Sequence, residues 1–211
     1  MNKNDIEIEE ECSAMLPSTS PITVVRNHIY LNSVIDENIS RAFINTLDEK
    51  ALNIIITCFT EGTLPCPIEL HINSYGGNIK EATSIIDAIK NIQNGELTKV
   101  GDIHFPLKVN THIEGEADSC ASLIACVGNY RTISKNALSM LHEPYIVGGP
   151  GGKADDVAVV ASNLQMTKDI IEDIYLSHSN LTKEALEAIL KDDGYNTPKE
   201  LLEYGLVDEI V

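Results

Sequence analysis

Apolar and polar positions along this chain alternate between two periods, close to two and close to 3.6 residues. Ile22–Asn32 (ITVVRNHIYLN) is β-rich and reads as one strand, closed by an Asn/Asp turn. Asp36 to about Leu52 spaces Ile39, Phe43, Ile44 and Leu47 as a helix does, with Asp36 or Glu37 serving its first turn. Two further β-rich runs, Asn53–Phe59 and Ile68–Asn73, flank the Gly/Pro-bearing EGTLPCP and read as strands. Ile79–Ile92 returns to helical spacing, with Ala82, Ile85, Ile86 and Ile89 on one face. After a turn or hairpin over Asn94–Pro106, Leu107–Ile113 reads as strand and Cys120–Val127 as a short apolar helix.

The C-terminal half repeats the alternation. Tyr130–Ile133 and Leu138–His142 are strand-like, and a long helix runs from Asp155 to about Ser179. Its stripe of Val157, Val160, Leu164, Ile171, Ile174 and Tyr175 has helical period, and its length leaves room for packing on another subunit. Thr182–Leu190 and Thr197–Tyr204 are short helices; the second opens T-P-K-E and ends at Gly205, and Leu206–Val211 closes as strand. Strands alternating with crossover helices predict an α/β fold around a mostly parallel sheet. Ligands in such folds gather where strands end in glycine-rich turns. Two turns qualify, Gly76-Gly77 and Gly115–Ser119.

Composition narrows the function classes. With 211 residues and 43% hydrophobic residues, one sizeable domain over residues 22–211 is expected. The net charge of −17 argues against nucleic-acid binding through a basic patch. Residues 5–11 alone hold five carboxylates, so Met1 to about Pro21 reads as a flexible acidic leader. No apolar run approaches the ~20 residues of a membrane helix, and the N-terminus lacks the order of a secretory signal. Cys12, Cys58, Cys66, Cys120 and Cys126 have no C-x-x-C spacing, which favours reduced thiols in a cytoplasmic setting over disulfides or zinc. Gly148–Lys153 (GGPGGK) lacks the Ser/Thr and preceding strand of a phosphate-binding loop. No metal or cofactor is expected.

The candidate chemistry sits in Glu114–Gly128 (EGEADSCASLIACVG), where a turn of small residues delivers Ser119 to the start of an apolar helix. The free N–H groups of a first helical turn point outward and suit an oxyanion beside the hydroxyl. An N-cap is the competing role for Ser119. Three readings compete for the Gly76-Gly77 turn: a phosphate-binding turn, for which neither G-x-G-x-x-G nor a Gly-Lys-Ser/Thr ending is present; a tight left-handed turn; and a second wall of a cleft that offers a backbone N–H to a substrate.

Four blocks, INSYGG (72–77), GEADSCA (115–121), MLHEP (140–144) and EYGLVD (203–208), occur together in this order. In that combination the chain resembles the Clp protease proteolytic subunit, the caseinolytic serine peptidases, from about Ile29 onward. The resemblance implies a crotonase-like fold of strand–helix units with a long protruding handle helix, here the helix from Asp155. It implies a triad with Ser119 as nucleophile, His142 as base and Asp193 as acid, with Asp192 beside it as the alternative. The oxyanion donors it implies are the N–H groups of Gly77 and Cys120. It further implies cleavage of unfolded polypeptides inside a homo-oligomer of two stacked heptameric rings, served by an ATP-driven unfoldase. Three positions depart from the pattern: Tyr75 stands where Pro is usual, Asp118 where a small neutral residue is usual, and Cys120 where Met is usual. Rival readings are a phage-type protease that processes structural proteins, a crotonase-type acyl-CoA enzyme and a non-catalytic ring subunit.

Overall fold

The computed structural model describes residues 21–146, 148 and 152–211. The acidic leader therefore lies outside the described residues, apart from Pro21. The chain opens with a hairpin, β1 (Thr23–Val25) and β2 (His28–Leu31), paired antiparallel. One continuous strand was expected here; Arg26, at φ 57°, instead reverses the chain between the two halves.

Helix α1 (Glu37–Glu61) starts at Asp36, whose side chain accepts the N–H of Ile39, and ends at Gly62 in the left-handed conformation. It absorbs Asn53–Phe59, which was expected to be a strand. Nothing breaks the chain between Leu52 and Asn53, and Ile54 and Ile55 carry the helix's packing onto the core beyond Ala51. Tertiary packing thus overrides the β-propensity of the Ile-Ile-Ile-Thr run. The first residue that suits a helix end is Gly62.

The remaining elements are β3 (Ile68–Ser74), α2 (Ile79–Gln93), β4 (Val109–Ala117), α3 (Cys120–Cys126), β5 (Arg131–Ile133), β6 (Ser139–Met140), α4 (Ala154–Ser177), α5 (Lys183–Asp192), β7 (Tyr195–Asn196), α6 (Pro198–Glu203) and β8 (Glu209–Ile210). The main sheet has the order β1-β2-β3-β4-β5-β8, and every pairing after the first is parallel. The segment 138–142 contributes only the two residues of β6, which pair antiparallel with β7. The mixed α/β architecture with a mostly parallel sheet is the one expected.

Alternation along the strands sorts the two faces of the sheet. Ile29, Leu31, Leu70, Ile72, Val109 and Ile113 are buried with Phe43, Leu47, Ile85, Ile89, Leu123 and Ile124 from α1, α2 and α3. The opposite face is polar. On it His71 stacks on Tyr30 at 4.6 Å, bonds His28 at 2.8 Å and meets Glu114 at 3.0 Å. His112 bonds Thr132 and Ser134, and His178 bonds Lys90 and the Ile174 carbonyl. These histidines are structural partners of the sheet and of α4.

Helix α4 divides along its length. Its last turns are anchored through buried Ile171, Glu172 and Tyr175, whereas Val157, Val159, Met166 and Ile170 further toward its start are exposed. Glu172 is buried between Lys168 and Lys183, at 3.7 and 3.2 Å.

Candidate active site

Two strand ends build the site. At the end of β3, the Ser74 hydroxyl donates to the Ser33 carbonyl at 2.6 Å and accepts the Gly76 N–H at 3.1 Å. The Ile35 N–H donates to the Gly76 carbonyl and the Asn78 N–H to the Ile35 carbonyl, both at 2.8 Å, which pins the turn. Gly76 lies at φ 86°, and a Cβ on it would come within 2.5 Å of the Asp118 carbonyl and 2.8 Å of Ser119 Cβ. Gly77 lies at φ 150°, and its Cβ would meet the Ile35 carbonyl at 2.3 Å. Both glycines are required by close approach of backbone, the first directly against the serine.

At the end of β4, Asp118 and Ser119 are gripped from two sides. The Asp118 N–H donates to the Ser74 carbonyl at 2.9 Å and the Ser119 N–H to the Met140 carbonyl at 2.8 Å. In return the Met140 N–H donates to Asp118 Oδ1 at 2.9 Å. Ser119 sits immediately before α3 with φ 55° and ψ −129°, and its side chain caps nothing. The N-cap role is therefore not the one this serine plays. A non-glycine residue held in so sparsely populated a conformation costs ~1–3 kcal/mol, which the surrounding bonds sustain.

His142 follows Met140 by two residues and lies on the same cavity, of about 450 Å³, as Ser119, Gly77, Cys120, Tyr75 and Tyr195. Its Nδ1 lies 2.7 Å from the Glu143 carbonyl. A carbonyl only accepts, so Nδ1 carries the proton and Nε2 of the neutral ring is left as an acceptor. That is the tautomer a general base needs.

The Cys120 side chain is buried where it meets the same cavity. Burial pushes its thiol up to about 11, while the N–H groups of Gly77 and of Cys120 itself, facing the sulfur, act in the opposite direction.

The fifth expected residue is placed elsewhere. Asp193 is exposed, in the left-handed conformation at the C-terminal end of α5, and Asp192 is exposed beside it. Neither lines the cavity. The contact between α5 and the His142 segment is instead the Glu143 N–H on the Leu190 carbonyl, at 3.1 Å. The carboxylate that does line the cavity is Asp118. Burial chiefly pushes its carboxyl up, against the opposing pull of the Met140 N–H, His142 and the Tyr195 hydroxyl; Glu116 pushes the same way as burial. The Asp118 carboxylate in turn pushes the Tyr195 hydroxyl up. The sequence marks Asp118 as unusual without revealing this bracing, and gives no signal for Tyr195, which lies between two helices outside any periodic stretch.

The whole of this arrangement falls inside a region that matches a known family. A sequence model of the Clp protease family matches residues 24–211. The chain belongs to the Clp protease family. Membership makes it a peptidase hydrolase by family and accounts for the α/β architecture with its mostly parallel sheet. Among the described residues no helix is long and apolar enough to cross a membrane.

Proposed function

We propose that this protein is a serine endopeptidase that cleaves unfolded polypeptides by acyl transfer, with Ser119 as nucleophile and His142 as base. The observation that carries the reading is the uncapped Ser119 hydroxyl, held at φ 55° on the same cavity as a histidine whose Nε2 is an acceptor. In the first step Ser119 Oγ bonds to the peptide carbonyl carbon while its proton passes to His142 Nε2. The N–H groups of Gly77 and Cys120 hold the oxyanion; one such donor contributes ~10²–10³ in rate. Collapse breaks the C–N bond, and the proton on Nε2 leaves with the amine. Water then attacks the acyl-enzyme by the same route in reverse.

Asp193 is proposed as the acid on block spacing alone. With Nδ1 on the Glu143 carbonyl, the ring is already oriented, so the acid's share falls on stabilising the imidazolium. The proposal extends to assembly. Family membership, together with the exposed apolar residues of α4, supports a homo-oligomer of two stacked heptameric rings joined through this helix. An ATP-driven unfoldase partner and a cytoplasmic location complete the reading.

A second reading, a ring subunit without catalysis, is favoured by one observation: the acid placed by spacing stands outside the cavity. Degradation of an unfolded polypeptide by the purified full-length chain separates the two. The endopeptidase reading expects fragments from the wild type and none from Ser119→Ala; equal or absent fragmentation in both contradicts it.

A further inference from the structure

Helix α4 reaches the candidate oxyanion site through one chain of hydroxyl groups. Ser122 Oγ lies 2.5 Å from the Ser119 carbonyl oxygen, and the Tyr175 hydroxyl lies 2.6 Å from Ser122 Oγ. The Ser119 carbonyl only accepts, so the single Ser122 hydroxyl proton is committed to it. Tyr175 must then donate to Ser122 Oγ, which sets the direction Tyr175 O–H to Ser122 O–H to Ser119 C=O. Both hydroxyl-bearing side chains are buried, Tyr175 at 2% and Ser122 at 5% exposure. Successive hydrogen bonds of this kind polarise and strengthen one another away from water.

The Ser119 carbonyl belongs to the same peptide plane as the Cys120 N–H. In a trans peptide the two point in opposite directions. Pulling the carbonyl toward Ser122 therefore turns the Cys120 N–H the other way, toward the cavity that Gly77 and Cys120 line. The Ser122 N–H also donates to that carbonyl, at 3.1 Å, in the 3-10 geometry common in a first helical turn. The hydroxyl pair is an addition to the helix, supplied by side chains from α3 and α4. Burial pushes the Tyr175 hydroxyl strongly up, so it remains a donor through the working pH range.

We propose that Tyr175 and Ser122 are positioning residues that fix the Ser119–Cys120 peptide with its N–H aimed at the developing oxyanion. The proposal rests on Ser119 being the nucleophile. Neither side chain touches the reacting atoms; they act through the orientation of one peptide plane. Without Tyr175, the Ser122 hydroxyl loses the donor that holds its rotamer. Without the Ser122 hydroxyl, the 3.1 Å backbone bond is what remains on that carbonyl among the described residues.

The test is the labelling kinetics of the full-length chain with a fluorophosphonate. In that reaction Ser119 Oγ bonds to phosphorus as its proton passes to His142 Nε2, fluoride leaves, and the phosphoryl oxygen takes the place of the oxyanion. The proteins compared are wild type, Tyr175→Phe, Ser122→Ala, Ser122→Thr and Ser119→Ala, each with its thermal unfolding midpoint. Tyr175→Phe and Ser122→Ala are expected to lower the maximal labelling rate ~10-fold, less than the ~10²–10³ of a lost donor because the backbone bond remains. The concentration for half-maximal rate and the pH midpoint stay unchanged, since binding and His142 are untouched. Ser122→Thr, which keeps the hydroxyl, retains most of the rate. Labelling of folded Tyr175→Phe and Ser122→Ala within about twofold of wild type would overturn the proposal. So would equal loss in Ser122→Thr and Ser122→Ala, the mark of a packing role. If Tyr175→Phe fails to fold, the Ser122 pair carries the test. A wild type that Ser119→Ala matches in its lack of labelling instead overturns the serine-nucleophile reading itself.

Discussion

The carboxylate of Asp118 accepts the N–H of Met140 at 2.9 Å, while the carbonyl of the same Met140 accepts the N–H of Ser119. These reciprocal bonds tie the turn that presents the serine to the strand that presents His142. Asp118 thus acts first as a brace, and its charge is a secondary burden of burial. Asp118→Asn keeps an acceptor for Met140 and removes that charge.

Burial raises the folded-state pKa of Asp118 above its unfolded value, so the fold binds this proton more tightly than the unfolded chain does. The stabilisation that this linkage provides is present at low pH and is lost as pH rises through the raised pKa. Asp118→Asn is therefore expected to unfold at the same or a higher urea midpoint than wild type at pH 7. The difference should shrink as the pH is lowered and Asp118 takes up its proton. Asp118→Ala leaves the Met140 N–H unpaired and should cost ~1–3 kcal/mol at any pH. A lower midpoint for Asp118→Asn than for Asp118→Ala at pH 7 would contradict the brace.

Ser119 pays for its placement in backbone strain, and glycine relieves that strain. Ser119→Gly should be more stable than Ser119→Ala by about 1 kcal/mol, because alanine is as uncomfortable at φ 55° as serine. Both are expected to abolish labelling. Paired denaturant titrations measure the difference, and an alanine variant as stable as the glycine variant would show that the turn relaxes.

The cysteines differ sharply in surroundings. Burial pushes Cys120 up to about 11 and Cys126 up to about 12, whereas Cys66 is exposed. Alkylation with iodoacetamide at pH 7.5 (about one unit below a free thiol's pKa) should modify Cys66 in the native protein and reach Cys120 and Cys126 only after unfolding. Peptide mapping reads this directly; rapid native alkylation of Cys120 would mean that its thiol is far more accessible than its burial indicates.

The exposed apolar residues of α4 carry the assembly proposal. Val159→Glu with Met166→Glu places two charges on positions that are 60% and 61% exposed in the single chain. Sedimentation velocity should show a smaller particle than wild type, with the secondary structure unchanged. An unaltered particle would mean that α4 does not join copies through these residues.

Most of the fold is legible in the sequence because local signals and tertiary packing agree. The caps at Thr182 and Thr197 and the helical stripe of α2 are cases in point. Asn53–Phe59 fails for the opposite reason: its β-branched residues favour strand, and only the unbroken approach from α1 and the cap at Gly62 make it helix. The site is legible as far as contiguous blocks go, since Gly77, Ser119, Cys120 and His142 all line one cavity. Asp193 rests on spacing alone, and the structure puts it at an exposed helix end. Asp118, Ser122, Tyr175 and Tyr195 meet partners from segments far apart in the chain, which no local pattern records.

The central claim is that Ser119 is a nucleophile activated by His142. Mass spectrometry of the full-length chain after fluorophosphonate treatment tests it most directly, with His142→Ala treated in parallel. The expected result is one adduct on Ser119 in the wild type, and its loss or a ~10²-fold or greater slowing in His142→Ala. An intact, folded protein that carries no adduct on Ser119, or one that labels equally well without His142, would contradict the account.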